Sequence, residues 1–413
     1  MRLARHGATA AGGVNRQALS PEEFAAWREL IGWAVAVGLT AFTDPIGNLF
    51  LRLEGTDPDA LPMLTGSHLD SQPSGGRFDG VYGVLAGLEA VQAIVECGKK
   101  LRRPVEIVAW MNEEGSRFAP GMMGSAAFAG AAAPNDFLQV RDACGISVAD
   151  GLAAARAAFP ELRERELRRP VAAYIEAHIE QGPVLEREGF AVGVVTGIQG
   201  KRTFRVSVRG EDGHAGTLPH RERKDALLAA VTMIHALAAA LHDPEDVVKF
   251  TVGKLDVLPN APSVIAGAAT FSIDLRHPDS RVLKALGDRI PAICADHAGP
   301  CTVAIVELTN AMSLDFPQCV RHLVRKCATR LDIPTMDIYS AAGHDARYLH
   351  GICPAGMIFV PCKDGISHNE AESARSEDLA SGARVLAEVI VELAGQNPSP
   401  AQSGPHGGAS SAP

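Results

Sequence analysis

Eight cysteines are scattered along the chain without a single C-x-x-C pair. Neither a disulfide frame nor a thiolate zinc site is therefore expected, and buried thiols in a reducing compartment fit the pattern. No apolar run approaches the roughly 20 residues that span a bilayer, so a membrane-spanning helix is excluded. The opening stretch MRLARHGATAAGGVNRQ is basic but leads into no apolar segment, so it does not read as a secretory signal, and the cytoplasm is the expected compartment. An excess of positive charge is also missing. With 39 basic against 48 acidic residues the formal net charge is -9. No basic field draws in phosphates, which excludes nucleic acid and anionic membrane as main partners and leaves a small molecule. No repeat of solenoid type is present.

What is present is an ordinary globular composition, 46% hydrophobic and 21% charged over 413 residues. That length exceeds what one hydrophobic core usually supports, so two domains are expected, one of which can be inserted in the other. A helix over Pro21 to Val37, capped by Ser20, opens the chain. Strand and helix then alternate: strand Gly47 to Leu53, buried strand Leu61 to Ser67, helix Gly80 to Glu96, strand Val105 to Met111. This order predicts an α/β sheet covered by helices, with functional groups at the carboxyl ends of the strands. From Lys201 the pattern changes to strand Thr203 to Arg209, helix Arg221 to Leu241, strands Val247 to Val257 and Ala268 to Arg276, helix Ser280 to Ala298 and strand Cys301 to Leu308. That βαββαβ order is the ferredoxin-like split unit, read as an inserted domain over 200–312 between a first part at 1–199 and a second at 313–395. In the second part a helix near Pro317 to Arg330, a strand at Met357 to Val360 and a helix near Ser376 to Ala394 are expected. The stretch 396–413 is Pro/Gly/Ser-rich and is read as a disordered tail.

The chemistry-bearing residues gather where predicted strands end. TGSHLDSQPSGGRFDGVYG places His68 at a strand end and Asp79 just before a helix; both are good zinc or manganese ligands, and a carboxylate can bridge two metals through its two oxygens. Asp70 is close enough to accept a hydrogen bond from the other ring nitrogen of His68 and fix its tautomer. The glycines of this segment form neither a G-x-x-x-x-G-K-S/T nor a proper G-x-G-x-x-G phosphate loop. In WMNEEGSRF, two adjacent carboxylates at a strand terminus repel one another unless a cation is near. One can ligate while its neighbour takes a proton from water as general base; read alone, the pair also fits a solvated step opening a helix. His178 in YIEAHIEQGPVLE and His368 in KDGISHNEAE complete a set of three histidines and two carboxylates. Spacing by itself does not select these from 14 histidines and 48 acids.

Taken in order, GSHLDSQPSGGRFDGVYGV, NEEGSRF, HIEQGPVLE, GHAGTLP, FSIDLRHPD, AAGHDA and GISHNEAE resemble the M20 metallopeptidase superfamily, and within it the amidase, hydantoinase/carbamoylase branch. The resemblance reaches to about Ala394. It implies an α/β fold, a catalytic three-layer α/β domain with an inserted ferredoxin-like α+β lid and dimerisation domain, and two divalent metal ions per subunit, zinc first, with manganese, cobalt or nickel as alternatives. His68, Asp79 and His178 would hold one ion, and Asp79, Glu114 and His368 the other, with Glu113 as catalytic base. A His178 where peptidase relatives usually carry a carboxylate points to the amidase branch. Arg276 resembles the arginine that grips the substrate carboxylate. Gln181 and His344 match polar groups lining the family pocket. His214 matches a histidine that reaches the opposite subunit and polarises the scissile carbonyl, which implies a homodimer. Ser263 stands where many relatives carry a second Asn, and His220 and Ala341 also depart from common residues. The implied reaction is hydrolysis of an N-carbamoyl-L-amino acid to amino acid, ammonia and carbon dioxide, under a lid that opens and closes. Allantoate amidohydrolase and 3-ureidopropionase are the near alternatives, an aminoacylase or dipeptidase a further one, and a metal-free acid-binding protein on the same fold the alternative of another class.

Overall fold

The computed structural model describes residues 1–395; the stretch 396–413, read from sequence as a tail, lies outside the described residues. The chain falls into two compact units, one built from Met1–Val195, Phe316–Ile338 and the chain from His344 onward, the other from Thr196–Asp315 and Tyr339–Gly343. The second unit thus takes in Tyr339–Gly343 as well as a segment slightly wider than 200–312.

Four parallel strands form the centre of the first unit, in the order Val105–Trp110, Met63–His68, Ala173–Ile179, Ala355–Val360. Every residue of these four is buried, as a parallel sheet with both faces covered requires. Antiparallel neighbours flank them: Leu49–Leu53 beside Val105–Trp110, and Val192–Ile198 beside Ala355–Val360. The helix Val81–Glu96 packs on Met63–His68 and Ala173–Ile179, and the long helix Ser376–Gly395 packs on it in turn. Helix Pro21–Ala36 starts as expected, with Ser20 accepting from the Glu23 N–H and Pro21 in the first turn, where its missing N–H costs nothing. The sequence reading missed the strands Ala173–Ile179 and Val192–Ile198 and the helices Met123–Ala129 and Val148–Ala158.

The second unit carries an antiparallel sheet ordered Lys249–Thr251, Ala268–His277, Gly200–Arg209, Thr302–Ala311, with Leu255–Leu258 also paired to Ala268–His277. This is the strand order of the split βαββαβ unit. One face buries Phe204, Val206, Phe271, Ile273 and Leu275 against Met233 and Leu237 of helix Ala226–Ala240 and Leu283 and Ile290 of helix Ser280–Asp296. The other face presents Thr203, Arg205, Ser272, Asp274 and Arg276, alternating as period two demands. Two expectations shift. The helix read from Arg221 begins at Ala226, because the Asp225 carboxylate accepts from the Leu228 N–H and sets the N-cap there. The single strand Val247 to Val257 is two, Lys249–Thr251 and Leu255–Leu258, parted around Gly253.

Candidate metal centre

His68 is the last residue of its strand and His178 the last but one of the neighbouring strand, so the parallel sheet delivers both imidazoles to the same end. Each ring is held at Nδ1 by a main-chain carbonyl, that of Asp70 at 2.9 Å for His68 and that of Ile179 at 2.9 Å for His178. That fixes the proton on Nδ1 and turns Nε2 toward the site, where the Gly80 N–H donates to Nε2 of His178 at 3.2 Å. Asp79 precedes helix Val81–Glu96 and sits between the histidines. Its Oδ1 lies 3.2 Å from His178 Nε2 and 3.7 Å from His68 Nε2, while its Oδ2 lies 3.2 Å from His368 Nε2. His368 Nε2 is also 3.3 Å from Glu114 Oε2. Two three-residue donor groups result, His68–Asp79–His178 and Asp79–Glu114–His368, sharing Asp79. The first is buried; the second is open on one side, the His368 side chain being 49% exposed.

Local backbone makes this arrangement possible. Gly80 adopts φ +66°, and a Cβ there would stand 2.3 Å from the His68 ring. Gly76 is required because a Cβ would fall 2.0 Å from the Glu372 carboxyl. Asn112, at φ 54°, turns the chain after strand Val105–Trp110 and anchors the turn by donating to the carbonyls of Phe118 and Pro120. Glu113 and Glu114 follow, and their N–H groups donate to Asp70 Oδ1 and Oδ2 at 3.2 and 3.1 Å. The role read for Asp70 from sequence is thereby corrected. Its carboxylate stands 3.7 Å from His68 Nδ1, and it is the Asp70 carbonyl that holds the ring. The side chain instead aims the two glutamates, because two adjacent N–H groups present themselves to one bidentate acceptor.

Electrostatics mark the same place. Burial, then Asp345, Glu114, Asp70 and Asp79, push the Glu113 carboxyl well above its usual range, and burial with Asp79 raises Glu114 to about 8. Burial alone would lower His178, but its bond to Asp79 prevails and lifts it to about 9; the Asp79 bond likewise raises His368 to about 9. Burial takes His68 down to about 4 against the pull of Asp79. The donor set of three imidazole Nε2 atoms and crowded buried carboxylates fits divalent cations: it offers nitrogen and oxygen donors of the right kind and a charge excess that a cation relieves.

The remaining expected residues fall in three places. Gln181 donates through Nε2 to Asp79 Oδ2 at 3.0 Å and to Ser367 Oγ at 3.2 Å. His344 is buried, its ring 4.6 Å from that of His178 and 5.6 Å from that of Phe359, rather than opening on solvent. In the second unit His214 and Ser263 come together, since Gly213–His214 pairs with Val264–Ile265 and the Ala215 N–H donates to the Ser263 carbonyl at 3.1 Å. Arg276 lies on the polar sheet face, paired with Asp274.

Two supporting acids escaped the sequence reading. Buried Glu372 accepts from the N–H groups of Phe78 and Asp79 at 2.8 and 3.1 Å and from Ser367 Oγ at 3.2 Å, joining the Asp79 and His368 loops. Glu176 accepts from Ser67 Oγ and the Ala346 N–H. With His178 and His344 it forms a third close group, but both of its oxygens are already committed. The signal for Glu372 was its place in GISHNEAE; nothing local singled out Glu176.

Comparison with known proteins places the chain among amidohydrolases. The chain is 38% identical over 399 residues to the N-carbamoyl-L-amino-acid amidohydrolase of Rhizobium meliloti, covering 95% of this chain and 94% of that protein. It is 36% identical over 399 residues to the allantoate amidohydrolase of Escherichia coli, covering 95% and 96%. The crystal structure of an amidase of the hydantoinase/carbamoylase family from Burkholderia vietnamiensis superposes with a TM-score of 0.87 at 40% identity, over 96% of each chain. Fold and relatives together define a hydrolase acting on amides. The chain belongs to peptidase family M20/M25/M40, whose pattern matches residues 64–392. No described helix is long and apolar enough to cross a membrane.

Proposed function

We propose that the protein hydrolyses the carbamoyl amide of an N-carbamoyl-L-amino acid, releasing the amino acid, ammonia and carbon dioxide. The observation that carries the reading is Asp79, whose Oδ1 faces His68 and His178 while its Oδ2 faces His368. A carboxylate so divided suits two cations, one held by His68, Asp79 and His178, the other by Asp79, Glu114 and His368. When bound, zinc, manganese, cobalt or nickel in these positions would acidify water and stabilise negative charge on the scissile carbonyl oxygen.

The chain's own residues supply the rest. Glu113 lies among carboxylates that raise its proton affinity. It takes the proton of the attacking water and returns it to the amino acid nitrogen as the bond from that nitrogen to the carbamoyl carbon breaks. The carbamate released decays to ammonia and carbon dioxide. Arg276 orients the substrate carboxylate. His214, acting across a homodimer formed through the 200–312 segment, polarises the carbonyl, and Gln181, Ser263 and His344 shape the pocket. A cytoplasmic location belongs to the same reading.

Allantoate is the second reading, favoured by the 36% identity to an allantoate amidohydrolase. A kcat/KM panel on metal-reconstituted protein decides, using N-carbamoyl-L-amino acids, N-carbamoyl-β-alanine, allantoate and dipeptides. N-carbamoyl-L-amino acids are expected to lead. A lead for any other substrate would overturn the assignment.

A further inference from the structure

Arg276 does not reach out from the sheet alone. Its Nε donates to Asp274 Oδ1 at 2.8 Å and its Nη2 to Asp274 Oδ2 at 3.1 Å, while Nη1 donates to the Ala341 carbonyl at 3.0 Å. Asp274 stands two residues earlier on the same strand and hence on the same sheet face. Lys201, directly across from Arg276 in the register, brings Nζ to 3.2 Å from Asp274 Oδ2. A guanidinium has five N–H donors. Three are engaged, one on each nitrogen, so two stay available, one on Nη1 and one on Nη2. Asp274 takes the side-on edge of the fork, and those two nitrogens make up its end. Beside it lies a cavity of about 530 Å³ lined by Thr203, Thr251, Ser272 and Leu308. Lys249 also lines this cavity, but its ammonium is tied to the Asp246 carboxylate. Lys201, Arg276 and Asp274 together sum to one positive charge.

We propose that Asp274 is a positioning residue for substrate recognition: it locks the side-on edge of Arg276 so that the N–H groups left on Nη1 and Nη2 are preset to take one carboxylate. This rests on the reading of Arg276 as the carboxylate grip. The fixed fork spares the substrate the cost of ordering a long side chain, and the single net charge matches a monocarboxylate. The opposite role, in which Asp274 competes with the substrate for Arg276, is disfavoured by the donor count, since the N–H groups left on Nη1 and Nη2 are not used by Asp274.

The two roles differ in sign, which makes the test decisive. The metal-loaded full-length enzyme is assayed with an N-carbamoyl-L-amino acid of small neutral side chain and with its carboxamide analogue. Arg276→Ala is expected to abolish the preference for the acid. Asp274→Asn keeps size and removes the charge. It is expected to raise KM for the acid about tenfold with kcat changed by less than about threefold, and to lower the acid-to-amide ratio of kcat/KM about tenfold. Misfolding would depress both substrates alike and leave that ratio standing, so the ratio isolates recognition. If Arg276→Ala abolishes the preference while Asp274→Asn leaves the ratio and KM unchanged, or lowers KM, the positioning role is overturned and the grip survives. If Arg276→Ala leaves the preference intact, the grip itself is wrong and the inference falls with it.

Discussion

Replacing Asp70 by Asn probes the arrangement most directly. The buried carboxylate accepts one N–H from Glu113 and one from Glu114, on different oxygens. An amide keeps one acceptor and turns the other position into an NH₂ facing an N–H, so one charge-assisted bond is lost and one buried donor is left without a partner. Each of these costs about 1.5–3 kcal/mol, with part recovered by rotation, so about 3 kcal/mol in total is expected. If all of it appears as lost aim of the two glutamates, kcat/KM falls roughly a hundredfold, at about 1.4 kcal/mol per decade. Any share that appears as lost stability lowers the melting temperature instead. The two readouts, kcat/KM on metal-loaded protein and thermal melting, must together account for the total. Because the His68 ring is held by the main-chain carbonyl of residue 70, which Asn retains, binding at the His68 group should persist by metal analysis. Activity within threefold of wild type with an unmoved melting temperature would refute the reasoning. Selective loss of metal from the His68 group would show that the side chain fixes that ring after all.

Glu113→Gln should keep full metal content and lose about 10²–10⁴ in kcat, checked by metal analysis and steady-state kinetics; retained turnover would remove Glu113 from the base role. Gly80→Ala should impair metal retention and lower the melting temperature, since its Cβ would meet the His68 ring at 2.3 Å on a backbone at φ +66°; an equilibrium dialysis isotherm like that of wild type would contradict this. In metal-free protein, Asp44 at about 7, Glu114 at about 8, and His178 and His368 at about 9 all bind protons more tightly folded than unfolded. The stability they contribute is present at low pH and is lost as pH rises through those values. From about pH 8, where unfolded His68 and His344, both held low in the fold, have already given up their protons, up to pH 9, the melting temperature in chelator should fall steadily. Added zinc should raise it and flatten the slope, and a rising curve in chelator would count against the buried cluster.

Three of the four central strands were legible because they are short apolar runs that end in polar residues; Val105–Trp110 leading into the Glu113–Glu114 pair is the clearest case. The ferredoxin-like unit was legible from its alternation, since Phe204, Val206 and Val208 interleave with Thr203, Arg205 and Ser207. Strand Ala173–Ile179 was missed because AYIEAHI carries Glu176 and His178 inside a fully buried run, and polarity at those positions hides a strand whose charges are satisfied from neighbouring elements. The histidine and carboxylate types were readable, yet their selection came from family resemblance. What no pattern revealed were partners joined through the main chain: the Asp70 carbonyl on His68, the Asp70 carboxylate on the Glu113 and Glu114 N–H groups, Glu372 on Phe78 and Asp79. Main-chain donors carry no residue identity, so such bonds leave no mark in a sequence.

The same limit explains how two adjacent glutamates serve one site. In an extended strand, successive side chains leave on opposite faces, so Glu113 and Glu114 could not both reach Asp79 and its histidines had the strand simply continued. Asn112 breaks the alternation with its left-handed backbone, and Gln181 and His368, at φ 58° and 52°, do the same where the other two loops reach the site. Each such residue costs of order 1–3 kcal/mol, and each is held by contacts that the site needs anyway: the Asn112 amide on the carbonyls of Phe118 and Pro120, Gln181 on Asp79, His368 beside Asp79 and Glu114. At these three loops strained backbone and converging side chains coincide, although left-handed residues such as Leu19, Arg168, Asp246 and Asp332 also occur away from the site. Asn112→Gly should test this by relaxing the backbone at the price of the amide anchors. The two carbonyls lose their buried donors at about 1–3 kcal/mol each, more than the strain relieved, so the variant should melt lower than wild type and lose activity. A variant that melts higher with activity intact would show that the turn holds itself, and that the convergence of the two glutamates does not depend on Asn112.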